Sequence, residues 1–216
     1  MINFRKAGLL IITLVIPALV FTFLKFFATN HYDLQHYFPL TDVSGKIVVN
    51  NGDTAFYKVP VIHLNNTNGQ AVSEQFGNGQ VCVVGYLPEH CLNTCEIVLG
   101  QVQRVFALRE TIPYLNVVTL ADKWTGTKES YPQEMNTKGW KVLTGSENEV
   151  KNTWDSELKL LTEIPGSKTN SLETKLVLID AEGHIRGYYN ATDPEETNRL
   201  MAEIKILDYE KKENYK

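Results

Sequence analysis

The chain has 216 residues, 43% of them hydrophobic and 21% charged, with 8 Pro and 14 Gly. That is enough for one domain of ~150 residues plus an appendage, too little for a large multidomain enzyme, and too apolar for a disordered or fibrous chain. The formal charge of −4 is unevenly spread: residues 1–27 hold Arg5, Lys6 and Lys25 and no acid, leaving 18 basic against 25 acidic residues elsewhere, so nucleic acid is a poor partner for the bulk of the chain.

The first element in chain order is the apolar run of residues 7–27, AGLLIITLVIPALVFTFLKFF, whose strongly polar member is Lys25 at the far edge. As a helix it would span about 31 Å, matching the ~30 Å hydrocarbon core of a bilayer. A cleaved signal peptide is the rival reading, but its apolar stretch is shorter and ends in a small-x-small site that Lys25 to Asn30 does not offer. The run is therefore expected to be a single transmembrane anchor, with Pro17 tolerated within it. Arg5 and Lys6 place the short tail, residues 1–6, in the cytoplasm. The rest of the chain is then expected in a periplasm or an equivalent space.

Residues 28–58 lack helical period and read as an extended spacer with a small β-ribbon, since Asn51-Gly52 between two apolar runs signals a hairpin. A second hairpin follows, VPVIHL and AVS around the turn Asn65 to Gln70. Gln80 to Leu87 is a continuous apolar run bounded by Gly77-Asn78-Gly79 and Pro88, the pattern of a strand buried on both faces. Cys95 to Glu110 carries Val98, Val102, Val105 and Phe106 on one helical stripe, and Tyr114 to Ala121 is again a strand. Strand, helix, strand in succession predicts a right-handed βαβ unit. Gly139 to Gly145 predicts a short strand, Glu147 to Leu161 a helix, and Thr174 to Tyr189 two strands around Asp180-Ala181-Glu182-Gly183. Asn190 to Glu196 reads as a cap, a first-turn Pro and acids at the positive end of a last helix reaching about Tyr209. Residues 210–216 are expected to be a solvated tail.

The chemistry-bearing feature is Cys91-Leu92-Asn93-Thr94-Cys95, at the opening of a helix after a buried strand and the loop Pro88-Glu89-His90. This is the layout of thioredoxin-like redox and metal-thiolate sites. Free N–H groups at a helix start favour a thiolate at Cys91, and Cys95 lies one turn on, on the same face. Two such thiols can close a disulfide or hold Cu(I), a soft ion that accepts two thiolates. The alternative is a pair of buried core cysteines. Cys82, mid-strand, is expected to be structural.

The ordered set of segments resembles the Sco/SenC family, and Bacteroidetes-type members in particular. Asp53 to Pro60 with Asn65 to Gln70 is similar to the family's opening hairpin, Cys91 to Cys95 to its C-x-x-x-C motif, Gly139 to Ser146 to its W-x-x-L-T-G segment, and Ile179 to Asp193 to its closing hairpin. The resemblance implies a thioredoxin-like α/β fold with an amino-terminal β-hairpin over residues 59–209, preceded by one transmembrane helix. It also implies copper as cofactor, Cys91 and Cys95 as redox pair and Cu(I) ligands, and a cytochrome c oxidase assembly role in the inner membrane, facing the periplasm. An oxidase subunit or another thiol protein would be the partner.

Two departures bear on that function. Leu92 and Glu96 follow the cysteines where the family has Pro, and Glu96 puts a carboxylate beside Cys95 that opposes thiolate formation. The family's third copper ligand, a His, falls by ungapped count on Leu172, and no His stands between Cys91 and His184. Losing an imidazole costs Cu(II) more than Cu(I). His184 is expected to be a solvated turn residue, His90, adjacent to Cys91, is the better placed of the two to tune a thiolate, and His31, His36 and His63 carry no spacing signal. Two further readings stand beside the first: a general extracytoplasmic thiol-disulfide oxidoreductase, and a non-redox interaction module with a degenerate site.

Overall fold

The computed structural model describes residues 13–23, 34–89, 93–124, 131–160 and 174–214. The chain divides into two compact units, Met1–Asp33 and Leu34–Lys216. In the first, residues 13–23 form a helix, α1, with exposed side chains; the Thr22 hydroxyl donates to the Ala18 carbonyl at 2.7 Å. Among the described residues no helix is long and apolar enough to cross a membrane.

The second unit opens with a two-stranded ribbon, β1 (Val49–Asn50) and β2 (Asp53–Thr54). Asn51 and Gly52 both have positive φ, 53° and 96°, the pair of conformations that a two-residue hairpin turn needs and that Asn-Gly supplies with little strain. A seven-stranded sheet follows, in the order β4-β3-β7-β6-β5-β8-β9. Its strands are β3 (Ile62–Asn66), β4 (Ala71–Glu74), β5 (Val81–Leu87), β6 (Leu115–Ala121), β7 (Trp140–Thr144), β8 (Lys175–Ile179) and β9 (Ile185–Asn190). β5, β6 and β7 run parallel, while β8, β9 and the β3–β4 hairpin run antiparallel to their neighbours.

β5 sits between β6 and β8, and its alternating side chains serve two cores. Val81 and Val83 enter one core with Val98, Val102 and Val105 of helix α2 (Asn93–Phe106) and Leu200, Ile204 and Leu207 of helix α4 (Pro194–Asn214). Cys82 and Val84 enter the other with Val150 of α3 (Glu147–Asn152), Trp154 and Leu158. Each fully buried Val or Leu contributes roughly 1.5–3 kcal/mol relative to exposure, so the continuous apolar run of β5 is what a strand covered on both faces requires. α4 starts at Pro194, with the Asp193 carboxylate accepting from the Glu195 N–H at 2.9 Å, as the Pro and acidic first turn predict.

Three expectations need amending. The predicted helix from Glu147 to Leu161 ends at Asn152 and passes into a π-helical turn, Thr153–Glu157. Val150, Trp154 and Leu158 all enter the same core at a spacing of four. Four residues overshoot an α-helical turn by about 40°, and a wider turn cancels the drift. The last helix, expected to end near Tyr209, runs on to Asn214, with Lys211 donating to the Gly79 carbonyl. The described part of the spacer, besides carrying its β-ribbon, packs on the domain. Leu34 packs against one core and Tyr37, Phe38 and Tyr57 against the other, because these aromatic side chains have apolar surface to bury and backbone bonds such as Tyr37 N–H to Ile185 O, 3.2 Å, hold the arm in place.

Candidate functional site

β5 delivers the chain to the edge of the sheet where the three parallel strands end, the edge at which open α/β sheets place their sites. Cys95 stands in the first turn of α2, next to the exposed Glu96, and is 3% exposed within the cluster that holds Leu87, Val98, Leu99 and Ala121. It is disulfide-bonded. Cys91, His90 and Leu92 lie outside the described residues, as does Leu172.

Cys82 is a free thiol, 4% exposed, on the opposite face of β5. Burial pushes its pKa well up, with a further rise from the Glu74 carboxylate and partial relief from Lys141. A neutral, enclosed thiol is neither a nucleophile nor a metal ligand at ordinary pH, which agrees with the structural role expected from its place in the run.

Other polar groups mark the same edge. Tyr86 donates to Asp122 at 2.5 Å and meets Trp154 edge-on at 6.3 Å. Asp122 follows Ala121, the register partner of Leu87, and so stands beside Pro88. Its second carboxylate oxygen is buried without a hydrogen bond. Glu89 and Lys123 pair across the strand ends at 2.9 Å, with side chains 42% and 61% exposed; such a pair is worth ~0–1 kcal/mol.

The histidines depart from expectation. His184 is 8% exposed, not solvated. The turn Asp180–Gly183 explains the burial: the Asp180 carboxylate accepts from the Glu182 and His184 N–H groups, both at 2.9 Å, and Gly183 takes φ +93°. This folds His184 inward beneath the arm. There it meets His36 edge-on, ring centroids 5.4 Å apart, while His36 stacks on Phe56 at 4.8 Å. Burial works to raise the Asp180 carboxyl pKa, but the hydrogen bonds from His184, Arg186 and Glu182 outweigh it and hold the group well below the carboxylate range. Arg186 donates to Asp180 at 3.0 Å and to the Leu34 carbonyl at 2.7 Å. His63 is exposed, its Nδ1 2.9 Å from the Ser73 hydroxyl.

No family profile matches the sequence, and no curated protein matches it in sequence. Solved structures do match. A SCO1/SenC family lipoprotein from Bacillus anthracis str. Ames aligns with a TM-score of 0.53 at 15% identity, over 70% of this chain and 95% of that one. BsSco, a member of the Sco family of cytochrome c oxidase assembly proteins in which a disulfide switch is identified, aligns with a TM-score of 0.53 at 17% identity, over 70% and 93%. A copper-bound ScoI from Bradyrhizobium japonicum aligns more loosely, with a TM-score of 0.44 at 16% identity, over 68% and 99%. The strand order, the central β5 and the helix that opens just before Cys95 thus give the chain a thioredoxin-like α/β fold similar to those Sco structures.

Proposed function

We propose that this chain is a membrane-anchored Sco-like protein acting in cytochrome c oxidase assembly, by thiol-disulfide redox or Cu(I) handling through Cys91 and Cys95. The observation that carries this reading is that Cys95, in the first turn of the helix after the central strand, is disulfide-bonded while Cys82 is free. Cys91, four residues before it in the sequence, is the partner in this reading. A dithiol partner reduces that disulfide by two successive exchanges: two electrons and two protons pass to Cys91 and Cys95, and the partner leaves as a disulfide. The reduced pair then offers two thiolates to Cu(I). Residues 7–27 serve as the anchor, residues 1–6 as a cytoplasmic tail, and the domain faces the periplasm.

The lack of any His between Cys91 and His184 favours a second reading, thiol-disulfide exchange without stable copper. One experiment separates them. The reduced chain is titrated with Cu(I) against a chromogenic chelator, beside Cys91→Ser and Cys95→Ser variants, and each form is assayed with a model disulfide. One Cu(I) per chain, lost in either variant, supports copper handling. Disulfide reduction without Cu(I) retention supports the oxidoreductase, and neither activity overturns both.

A further inference from the structure

At the edge of the sheet opposite Cys95, side chains from two distant parts of the chain converge. Ile179 pairs with Cys82 near the start of β5, so Asp180 and the turn after it lie five residues, about 17 Å, back from the Leu87 end. His36 Nε2 is 3.9 Å and His184 Nδ1 3.5 Å from the same oxygen, Asp180 Oδ2. The three donor atoms all fall within 4.8 Å of one another. We infer that His36, Asp180 and His184 form a site for one divalent ion of the Zn(II) class, distinct from the Cys pair.

Three observations carry this. First, His184 Nδ1 is buried and makes no close hydrogen bond, its approaches being 3.5 Å to Asp180 and 3.7 Å to Glu182. A buried ring nitrogen without a partner is costly, and a metal accepts its lone pair. Second, ligands about 2.0–2.1 Å from a tetrahedral ion stand roughly 3.3–3.4 Å apart; the separations of 3.5 and 3.9 Å close with shifts of a few tenths of an ångström, and the two imidazole nitrogens, within 4.8 Å of each other, close with a larger movement of His36, the ligand on the arm. Asp180 is already oriented: its Oδ1 accepts two backbone N–H groups, and Arg186 fixes Oδ2 at 3.0 Å. Such support is what metal-ligating carboxylates carry.

Third, the charges favour a cation. The Arg186 guanidinium beside Oδ2 would repel a cation if it stood alone, but Glu210 lies 3.8 Å from its other side and Glu182 Oε2 lies 3.7 Å from His184 Nδ1. Three carboxylates against one guanidinium make the surroundings acidic, which favours a divalent ion. Glu182, exposed and on the same turn, is placed to supply a fourth ligand. Two imidazoles and a carboxylate suit Zn(II) or Cu(II), whereas Cu(I) prefers thiolates. Because His36 belongs to the arm and the other two ligands to the β8–β9 turn, the ion would staple the arm to the domain.

The test uses the full chain with Cys91→Ser and Cys95→Ser, which removes the thiolates. Zn(II) is titrated against a chromogenic chelator, with Co(II) as a spectroscopic probe and the melting temperature recorded with and without metal. We expect one Zn(II) per chain, a tetrahedral Co(II) visible band and a Zn(II)-dependent rise in melting temperature. Each is weakened roughly tenfold or more in affinity, or lost, in His36→Gln and His184→Gln. His36 lies on the arm, outside the sheet, so His36→Gln carries the test even where His184→Gln disturbs folding. Failure to bind Zn(II), or binding that His36→Gln leaves unchanged, overturns the assignment.

Discussion

Cys82 offers a quantitative check on which cysteines carry chemistry. Its residue pairs with Asn116 on β6 and with Ile179 on β8, so β5 is hydrogen-bonded on both sides at this point. At 4% exposure the thiol is reached only when these ladders open. Opening at the centre of a sheet costs close to the whole unfolding free energy, ~5–15 kcal/mol, and each ~1.4 kcal/mol is a factor of ten. Alkylation of Cys82 in the folded chain should therefore run at least ~1,000-fold slower than for an exposed thiol, before the further loss from its raised pKa. Pulsed alkylation after reduction, read by intact mass, should show additions at Cys91 and Cys95 well ahead of the third, because Cys95, although itself 3% exposed, lies in the first turn of α2, whose opening costs far less than opening the sheet, whereas Cys82 reacts after guanidinium unfolding. Without reductant, unfolded protein should take one alkyl group, at Cys82. Three additions at similar rates, or a native bridge that includes Cys82, would refute the reasoning.

Two further outcomes follow from buried charge and burial. Asp180→Asn, measured with chelator present, should destabilise by about 3 kcal/mol and lower the melting temperature by roughly 6–12 °C, because Arg186, with a side chain 5% exposed, loses its close carboxylate and keeps the neutral Leu34 carbonyl at 2.7 Å and Glu210 at 3.8 Å; a change under ~0.5 kcal/mol would show the pair to be unimportant. Stability should also fall at alkaline pH. Burial raises the Cys82, Tyr188 and Tyr189 pKa values in the folded state, so the neutral forms stabilise fully below the unfolded values, about 8.5 and 10, and that contribution drains away as pH rises past them, by up to ~1.4 kcal/mol per pH unit per group. In urea melts across pH 7 to 11, Cys82→Ala should flatten the decline that starts near 8.5; an unchanged decline there would assign it to other groups.

The strands of the sheet were legible because each is a local pattern. Val81 to Leu87 and Leu115 to Ala121 are short apolar runs between Gly or Pro punctuation, and burial on both faces leaves such runs no polar positions. The hairpin at Asn51-Gly52 was equally local. The π turn at Thr153–Glu157 was not, because it answers a tertiary demand: three side chains spaced by four must reach one core. The extension of α4 likewise depends on a partner 132 positions away, the Gly79 carbonyl that receives Lys211.

The same division separates the two ends of β5. At its carboxy end the placement of Cys95 follows from strand then helix, so the spacing of the cysteines carries most of the information. At its amino end the Asp180 turn was itself readable, since Asp followed by Gly at this spacing lets a carboxylate take two backbone N–H groups. What lies over the turn was not. Gly77, at φ +88°, lets the Gly77–Gly79 loop approach until an added Cβ would stand 3.0 Å from the Glu182 and Gly183 backbone, and Val59 N–H bonds the Gly183 carbonyl at 2.9 Å. These long-range contacts close the turn on the sides away from solvent and bring the arm, with His36, across His184. A histidine in a polar turn reads as solvated until the chain some 150 residues upstream is known to cover it.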